Sequence, residues 1–241
     1  MFGAKKILRN LALITITLVL ASSPVLAQST LETLSFWKRI KLAQAGDIEA
    51  QISVAADYEK GEGEIKKDLF KAATWYRRAA KQGDATGQFK LARILHTGSK
   101  RVKKSPQLAV PLYETAAKQG NADAQFWLGY SYQYGEGVKA EPKLAISWYE
   151  KAAASNHAEA QNNLGLIFLD GKLVKRNLAK AFEMFRKAAD AGNAWAMNNL
   201  GGLYEMGWGT KIDRDKAISL YERASKKGNE PAGRNLTRLT S

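Results

Sequence analysis

The chain has 241 residues, a formal net charge of +14, no cysteine and two histidines. Disulfides are excluded, and the ligand supply is too thin for a structural zinc site. Stability must rest on apolar packing, and the charge suits an anionic partner. At the start, Lys5, Lys6 and Arg9 precede an almost wholly apolar run from Leu11 to Ala21 and a small-residue exit at Val25-Leu26-Ala27. This pattern predicts a signal peptide over 1–27 with cleavage after Ala27, and so an exported protein, periplasmic or secreted. Pro24 and the small residues argue for cleavage over a retained anchor, and no later run approaches the ~20 apolar residues of a membrane span. Cleavage removes three positive and no negative charges, taking the chain from +14 to +11. Export sets nucleic acid aside as a partner and leaves anionic glycan, lipid phosphate or an acidic protein.

After the leader, 28–45 reads as an N-terminal capping helix, its amphipathic part running from Leu31 to Ala45. Unit ends then recur at Gly46, Gly83, Gly120, Asn156, Gly192 and Gly228, 36 or 37 residues apart. They delimit five units, 46–82, 83–119, 120–155, 156–191 and 192–227, and a terminal capping helix in 228–241. A period of this size marks stacked units that bury their apolar faces only against one another. The third unit is the clearest. Ala124, Leu128 and Tyr132 recur at four-residue spacing with Gly129 beside Leu128, which describes one packed helix face. Gly135-Glu136-Gly137 ends that helix, and a second runs from Pro142 to about Ala154 with Ala145, Trp148, Tyr149, Ala152 and Ala153 as its buried stripe.

Second helices begin at matching places. Asp68, Ser105, Glu141, Asn177 and Asp213 stand four residues before the first stripe alanine, and all but Glu141 are preferred N-cap types. Pro106 and Pro142 follow at the position where a missing donor does no harm. The second unit departs most: Ala92 and Ser99 replace glycines, its turn carries Lys100 to Lys104, and Pro111 inside its second helix predicts a kink.

These residues resemble the Sel1-like repeat family, related to the tetratricopeptide repeats. The third unit carries its pattern as Ala124, Leu128-Gly129, Tyr132, Gly135, Gly137, Leu144-Ala145, Trp148-Tyr149 and Lys151-Ala152-Ala153. The resemblance implies an all-α, right-handed superhelical solenoid of helix–turn–helix repeats whose first helices line a concave face. It further implies that residues three before and one, four and five after the packing glycine face inward. On that rule Phe89, Arg93, His96, Phe126, Tyr130, Tyr134, Asn162, Asn198 and Arg234 are candidate protein contacts, with Thr97, Gln133, Leu166, Leu169, Asp170, Gly202, Glu205, Met206 and Arg238 at equivalent offsets. Aromatic and arginine anchors suit an extended segment or a membrane-protein ectodomain.

Basic residues gather in the turns within repeats: Lys66, Lys67, Lys100, Arg101, Lys103, Lys104, Lys172, Lys175 and Arg176. Equivalent turns stack along one edge, which predicts a positive stripe. Trp208, between Gly207 and Gly209, is either exposed or folded back onto helix ends. Enzymatic constellations are poor. Ser35-Phe36-Trp37-Lys38 fits the Ser-x-x-Lys acylating motif, but neither Ser-Asp-Asn nor Lys-Thr-Gly follows it. His96 has no nucleophile spaced to meet it, and His157 sits in a turn where solvation is expected. Three readings follow. The first is a non-enzymatic, monomeric adaptor without cofactor or metal, binding protein through its concave face and regulating a membrane sensor or envelope complex. The second is a binder of anionic envelope glycan or lipid through the basic edge. A β-lactam or cell-wall hydrolase is the remote third.

Overall fold

The computed structural model describes Leu31 and residues 33–62 and 64–241; the leader and its cleavage site lie outside the described residues. Twelve α-helices are present among the described residues: α1 (Phe36–Gln44), α2 (Ile48–Lys60), α3 (Leu69–Lys81), α4 (Ala85–Thr97), α5 (Pro106–Lys118), α6 (Ala122–Tyr134), α7 (Pro142–Ala154), α8 (Ala158–Asp170), α9 (Leu178–Asp190), α10 (Ala194–Met206), α11 (Arg214–Lys226) and α12 (Glu230–Thr240). This is an all-α repeat fold. Five hairpins, α2–α3 to α10–α11, lie between a leading helix and a trailing one. The capping helix α1 starts later than its apolar pattern suggests, because the backbone at Ser35 is extended and the Leu34 N–H turns back to the Leu31 carbonyl.

Each hairpin is held by the same few devices. All six residues marking unit ends take positive φ: Gly46, Gly83, Gly120, Gly192 and Gly228 between 84° and 105°, and Asn156 at 60°. Asparagine is the non-glycine residue best suited to that conformation. The next residue caps the following first helix, as Asp47, Asp84, Asn121, His157, Asn193 and Asn229 each accept a backbone N–H three residues on. His157 does this through Nδ1 and is largely buried, so the expectation of a solvated side chain is corrected. Of the five second-helix caps, Asp68, Asn177 and Asp213 accept from the first turn. Ser105 and Glu141 do not, and both precede proline.

Within every hairpin the residue that opens the second helix donates its N–H to a first-helix carbonyl: Asp68 to Tyr58, Ser105 to Leu95, Glu141 to Tyr132, Asn177 to Phe168 and Asp213 to Tyr204, at 2.7–2.9 Å. These bonds occupy carbonyls that the last turn leaves without helical partners, and they fix the hairpin register. Buried Gln51, Gln125 and Gln161 donate to Ala43, Ala117 and Ala153, each near the end of the preceding helix. Second-repeat turn 98–105 is eight residues long, as is the first-repeat turn 61–68, one more than the other three, and Ser99 pairs with Val102 in an antiparallel bridge. Helix α5 runs unbroken through Pro111 from Pro106 to Lys118.

The described residues form two compact units, one ending at Ile94 and including Ser99–Val102, the other comprising Leu95–Gly98 and Lys103–Ser241. In the first, Ala43, Ala50 and Val54 are buried with Phe36, Ile40, Tyr58 and Trp75 packed around them. In the second, alanine stripes of α9 and α11 pack with Phe185, Met197, Leu200, Leu203 and Tyr221. Packing glycines there are steric requirements: a Cβ added to Gly129 or Gly201 would stand 2.8 Å from the ring of Tyr149 or Tyr221, and at Gly165 2.5 Å from that of Phe185.

Candidate functional site

One position of the second helix is aromatic in every repeat and fully or almost fully buried: Tyr76, Tyr113, Tyr149, Phe185 and Tyr221. A hydroxyl buried at this position costs free energy unless it is hydrogen-bonded. Tyr76 donates to Glu59 at 2.7 Å, Tyr149 to Gln133 at 2.8 Å and Tyr221 to Glu205 at 2.9 Å; the Tyr113 ring lies 5.9 Å from that of His96. In the fourth repeat both sides change together, to Phe185 and Leu169. Losing the hydroxyl removes the need for a polar partner, and that position of the first helix becomes apolar.

The carboxylates at this position are spent inside the protein. Glu59 meets Arg93 at 2.5 Å and Lys90 at 3.7 Å; Glu205 meets Arg238 at 2.7 Å. Burial alone would raise Glu59, but the Tyr76 hydroxyl and the two cations outweigh it and hold the carboxyl below its ordinary value. The Arg238 hydrogen bond, followed by that from Tyr221, does the same for Glu205. Arg93 is thus committed within the first unit.

Several other predicted contacts are interior. Phe89 is buried in the first unit. In the second, His96 is buried against Trp127 and Tyr130, with Nε2 2.8 Å from Glu136. Asn162 is buried as well and accepts from Asn199 at 3.0 Å, a link repeated from Asn235 to Asn198. Phe126 stacks on His157 with centroids 4.8 Å apart, and Arg234 is exposed beside Glu230. The offset rule tells which helix face a residue occupies and not how closely its surroundings cover it.

What remains at the surface of the second unit converges. Tyr130 and Tyr134 lie 4.6 Å apart, and burial, then the charge of Glu136, raises the Tyr130 hydroxyl. Beyond them an open groove of about 710 Å³ is lined by Gln133 and Tyr134 of α6, Leu166, Ile167, Leu169 and Asp170 of α8, Lys172, Leu173 and Arg176 of the fourth-repeat turn, and Trp208 of the fifth. Tyr134 is 58 % exposed, Leu166 42 % and Trp208 39 %. The Arg176 guanidinium stacks 4.8 Å over the Trp208 ring. Both expectations for Trp208 are therefore partly met: it is exposed, and it folds onto a neighbouring turn. Leu173 belongs to the groove but escaped the sequence reading, because a loop residue carries no periodic signal. Leu169 was on the sequence-derived face, and its matched change with Phe185 could have been found by aligning the five repeats with one another.

The basic turn residues Lys66, Lys67, Lys100, Arg101, Lys103, Lys104, Lys172, Lys175 and Arg176 are all exposed. In the first unit Lys67, Lys100 and Arg101 surround Phe70, with Arg101 2.8 Å from Asp68 and over the Phe70 ring. Ser35 and Lys38 are exposed at the start of α1. Among the described residues no cluster of His, Cys, Asp and Glu has the makings of a metal site, and no helix is long and apolar enough to cross a membrane.

Five tandem helical hairpins with a face of exposed aromatic and aliphatic side chains define a repeat protein of the scaffold class. The Sel1 repeat model matches residues 48–84, 85–121, 122–157, 158–193 and 196–229, and the chain belongs to that family. No curated protein matches it. Among solved structures it is similar to a Sel1 repeat protein from Oxalobacter formigenes, 33 % identical with a TM-score of 0.77, covering 85 % of this chain and 58 % of that one. It is also similar to c5321, a protective antigen of uropathogenic Escherichia coli, 29 % identical with a TM-score of 0.75, covering 83 % and 43 %. A sel1 repeat protein from Klebsiella pneumoniae, 22 % identical with a TM-score of 0.56 over 86 % of this chain and all of that one, shares the fold. The chain spans about half the length of the first two.

Proposed function

We propose that this protein is an exported, non-catalytic scaffold that binds another protein through the face made by α6, α8 and the turns that follow α8 and α10. Sel1 repeat proteins generally mediate protein–protein contact. The observation that carries the reading here is the groove itself, where Tyr134, Leu166, Leu173 and Trp208 are exposed side by side. Exposed apolar clusters rimmed by polar groups mark interaction sites. The charged and small-residue leader supports export, and a partner in the envelope, such as a membrane sensor or complex, follows from it.

A photo-reactive residue placed at Tyr134 should cross-link one protein partner in intact cells, and the same probe at Trp148 on α7 should not. Equal yields from both positions would refute a specific face. N-terminal sequencing of the native protein should begin at Gln28; an intact leader on soluble cytoplasmic protein would refute export. The competing reading, an anionic glycan or lipid held by the exposed turn lysines, predicts salt-labile capture that the groove probe does not report.

A further inference from the structure

We propose that the groove selects an extended peptide segment in which an apolar side chain is followed closely by a carboxylate, the carboxylate meeting Arg176 where it stacks on Trp208. This rests on the scaffold reading above and specifies its ligand. The argument begins with how the protein spends its arginines. Arg93 lies on a first helix and Arg238 on the trailing α12, and each is consumed by a glutamate of the preceding repeat. Arg176 makes no ion pair or hydrogen bond among the described residues, while its guanidinium carbon lies over the Trp208 ring, 4.8 Å from the centroid. Its N–H edge is therefore free to take a carboxylate in a forked pair.

The pair is built rather than incidental. Gly209, at φ +73°, lies so close to the Leu178 carbonyl that an added Cβ would collide with it. That contact sets the fifth-repeat turn on the start of α9, so that Trp208 stands beside the fourth-repeat turn. Gly171, at φ +74°, leaves room for the Arg176 stem: a Cβ there would stand 2.8 Å from that of Arg176. A guanidinium held between its own turn and an indole loses little further freedom on binding.

Charge decides the sign of the partner. The turn 171–177 contributes Lys172, Lys175 and Arg176 with no acidic residue. Asp170 is the one carboxylate among the groove's described lining residues, and it is already paired with Lys172 at 3.1 Å. The floor is apolar because Phe185 and Leu169 replace the tyrosine and its polar partner found elsewhere. Apolar groups that line a recess suit a single inserted side chain better than a bilayer, and a glycan would leave them unmatched.

Panning a random-peptide display library against the full chain tests the assignment. Enriched peptides should place Asp or Glu within about three residues of a Leu, Ile, Phe or Tyr. Arg176→Glu should weaken such a peptide roughly tenfold or more, as loss and reversal of a charge-assisted pair. Trp208→Ala should weaken it severalfold, and both variants should keep the wild-type melting curve. Enrichment of basic or uncharged sequences, no enrichment at all, or binding unchanged in both variants would overturn the proposal. So would phosphatidylglycerol vesicles binding at this site with the same dependence on Arg176, which would assign it to lipid. Cross-linking at Tyr134 judges the scaffold reading separately: a specific partner there together with a neutral peptide preference leaves the scaffold standing and removes only the acidic ligand.

Discussion

The fourth repeat offers a test of how the array matches its buried polar groups. Phe185 is fully buried, and Leu169 packs against the cluster that contains it. The hydroxyl introduced by Phe185→Tyr would reach the place where Tyr149 meets Gln133 one repeat earlier and Tyr221 meets Glu205 one repeat later. Beside Leu169 it finds no acceptor, so the single substitution should cost about 1–3 kcal/mol, the desolvation of an unsatisfied buried group. Leu169→Gln alone removes half-buried apolar surface and should cost about 1 kcal/mol. The double variant re-creates the bond made in the neighbouring repeats. It should therefore be more stable than the sum of the singles by about 1–2 kcal/mol, within the range found for residues in contact. Urea midpoints at constant slope give the three values. Additivity within roughly 0.3 kcal/mol would refute the pairing and the register behind it. The double variant should also weaken groove ligands, since Leu169 lines the floor.

Leu128 is fully buried at the stripe position of its first helix, and Leu128→Ala should lower stability by about 2–5 kcal/mol in the same assay. Gly201→Ala would press a Cβ to 2.8 Å from the Tyr221 ring and should cost about 1–3 kcal/mol through overpacking. Gly228→Ala meets nothing within 4 Å but must hold φ +84°, at a cost of about 1–2 kcal/mol; asparagine should recover much of the loss at Gly228 and none at Gly201. Glu59 and Glu205 titrate below their ordinary range when folded, so the unfolded chain binds more protons in acid. Their stabilisation is complete above the unfolded carboxylate value of roughly 4.3 and is lost as pH falls through the lower folded values. The melting temperature should drop in that window, and less steeply in the Glu59→Gln, Glu205→Gln double variant.

Much of this protein is local, and local structure is written in short-range sequence. The unit ends at Gly46, Gly83, Gly120, Asn156, Gly192 and Gly228 could be placed because positive φ restricts residue type at a single position, whatever surrounds it. Helix faces followed from four-residue spacing, and Leu128, Tyr149 and Ala145 are buried as that spacing requires. A basic turn within each repeat was equally legible. Tertiary packing decided the rest. Whether a residue on the first-helix face of the second unit is open or covered depends on the next repeat, some 36 residues away, so His96 and Asn162 went inside while Tyr134 and Leu166 stayed out. Nothing in the sequence tells whether Arg93 or Arg176 is paired. Glu59 consumes the first, whereas the second meets an indole brought beside it by a glycine contact between turns. An ion pair or a free guanidinium is a matter of distance in space, and periodicity along the chain carries no information about it.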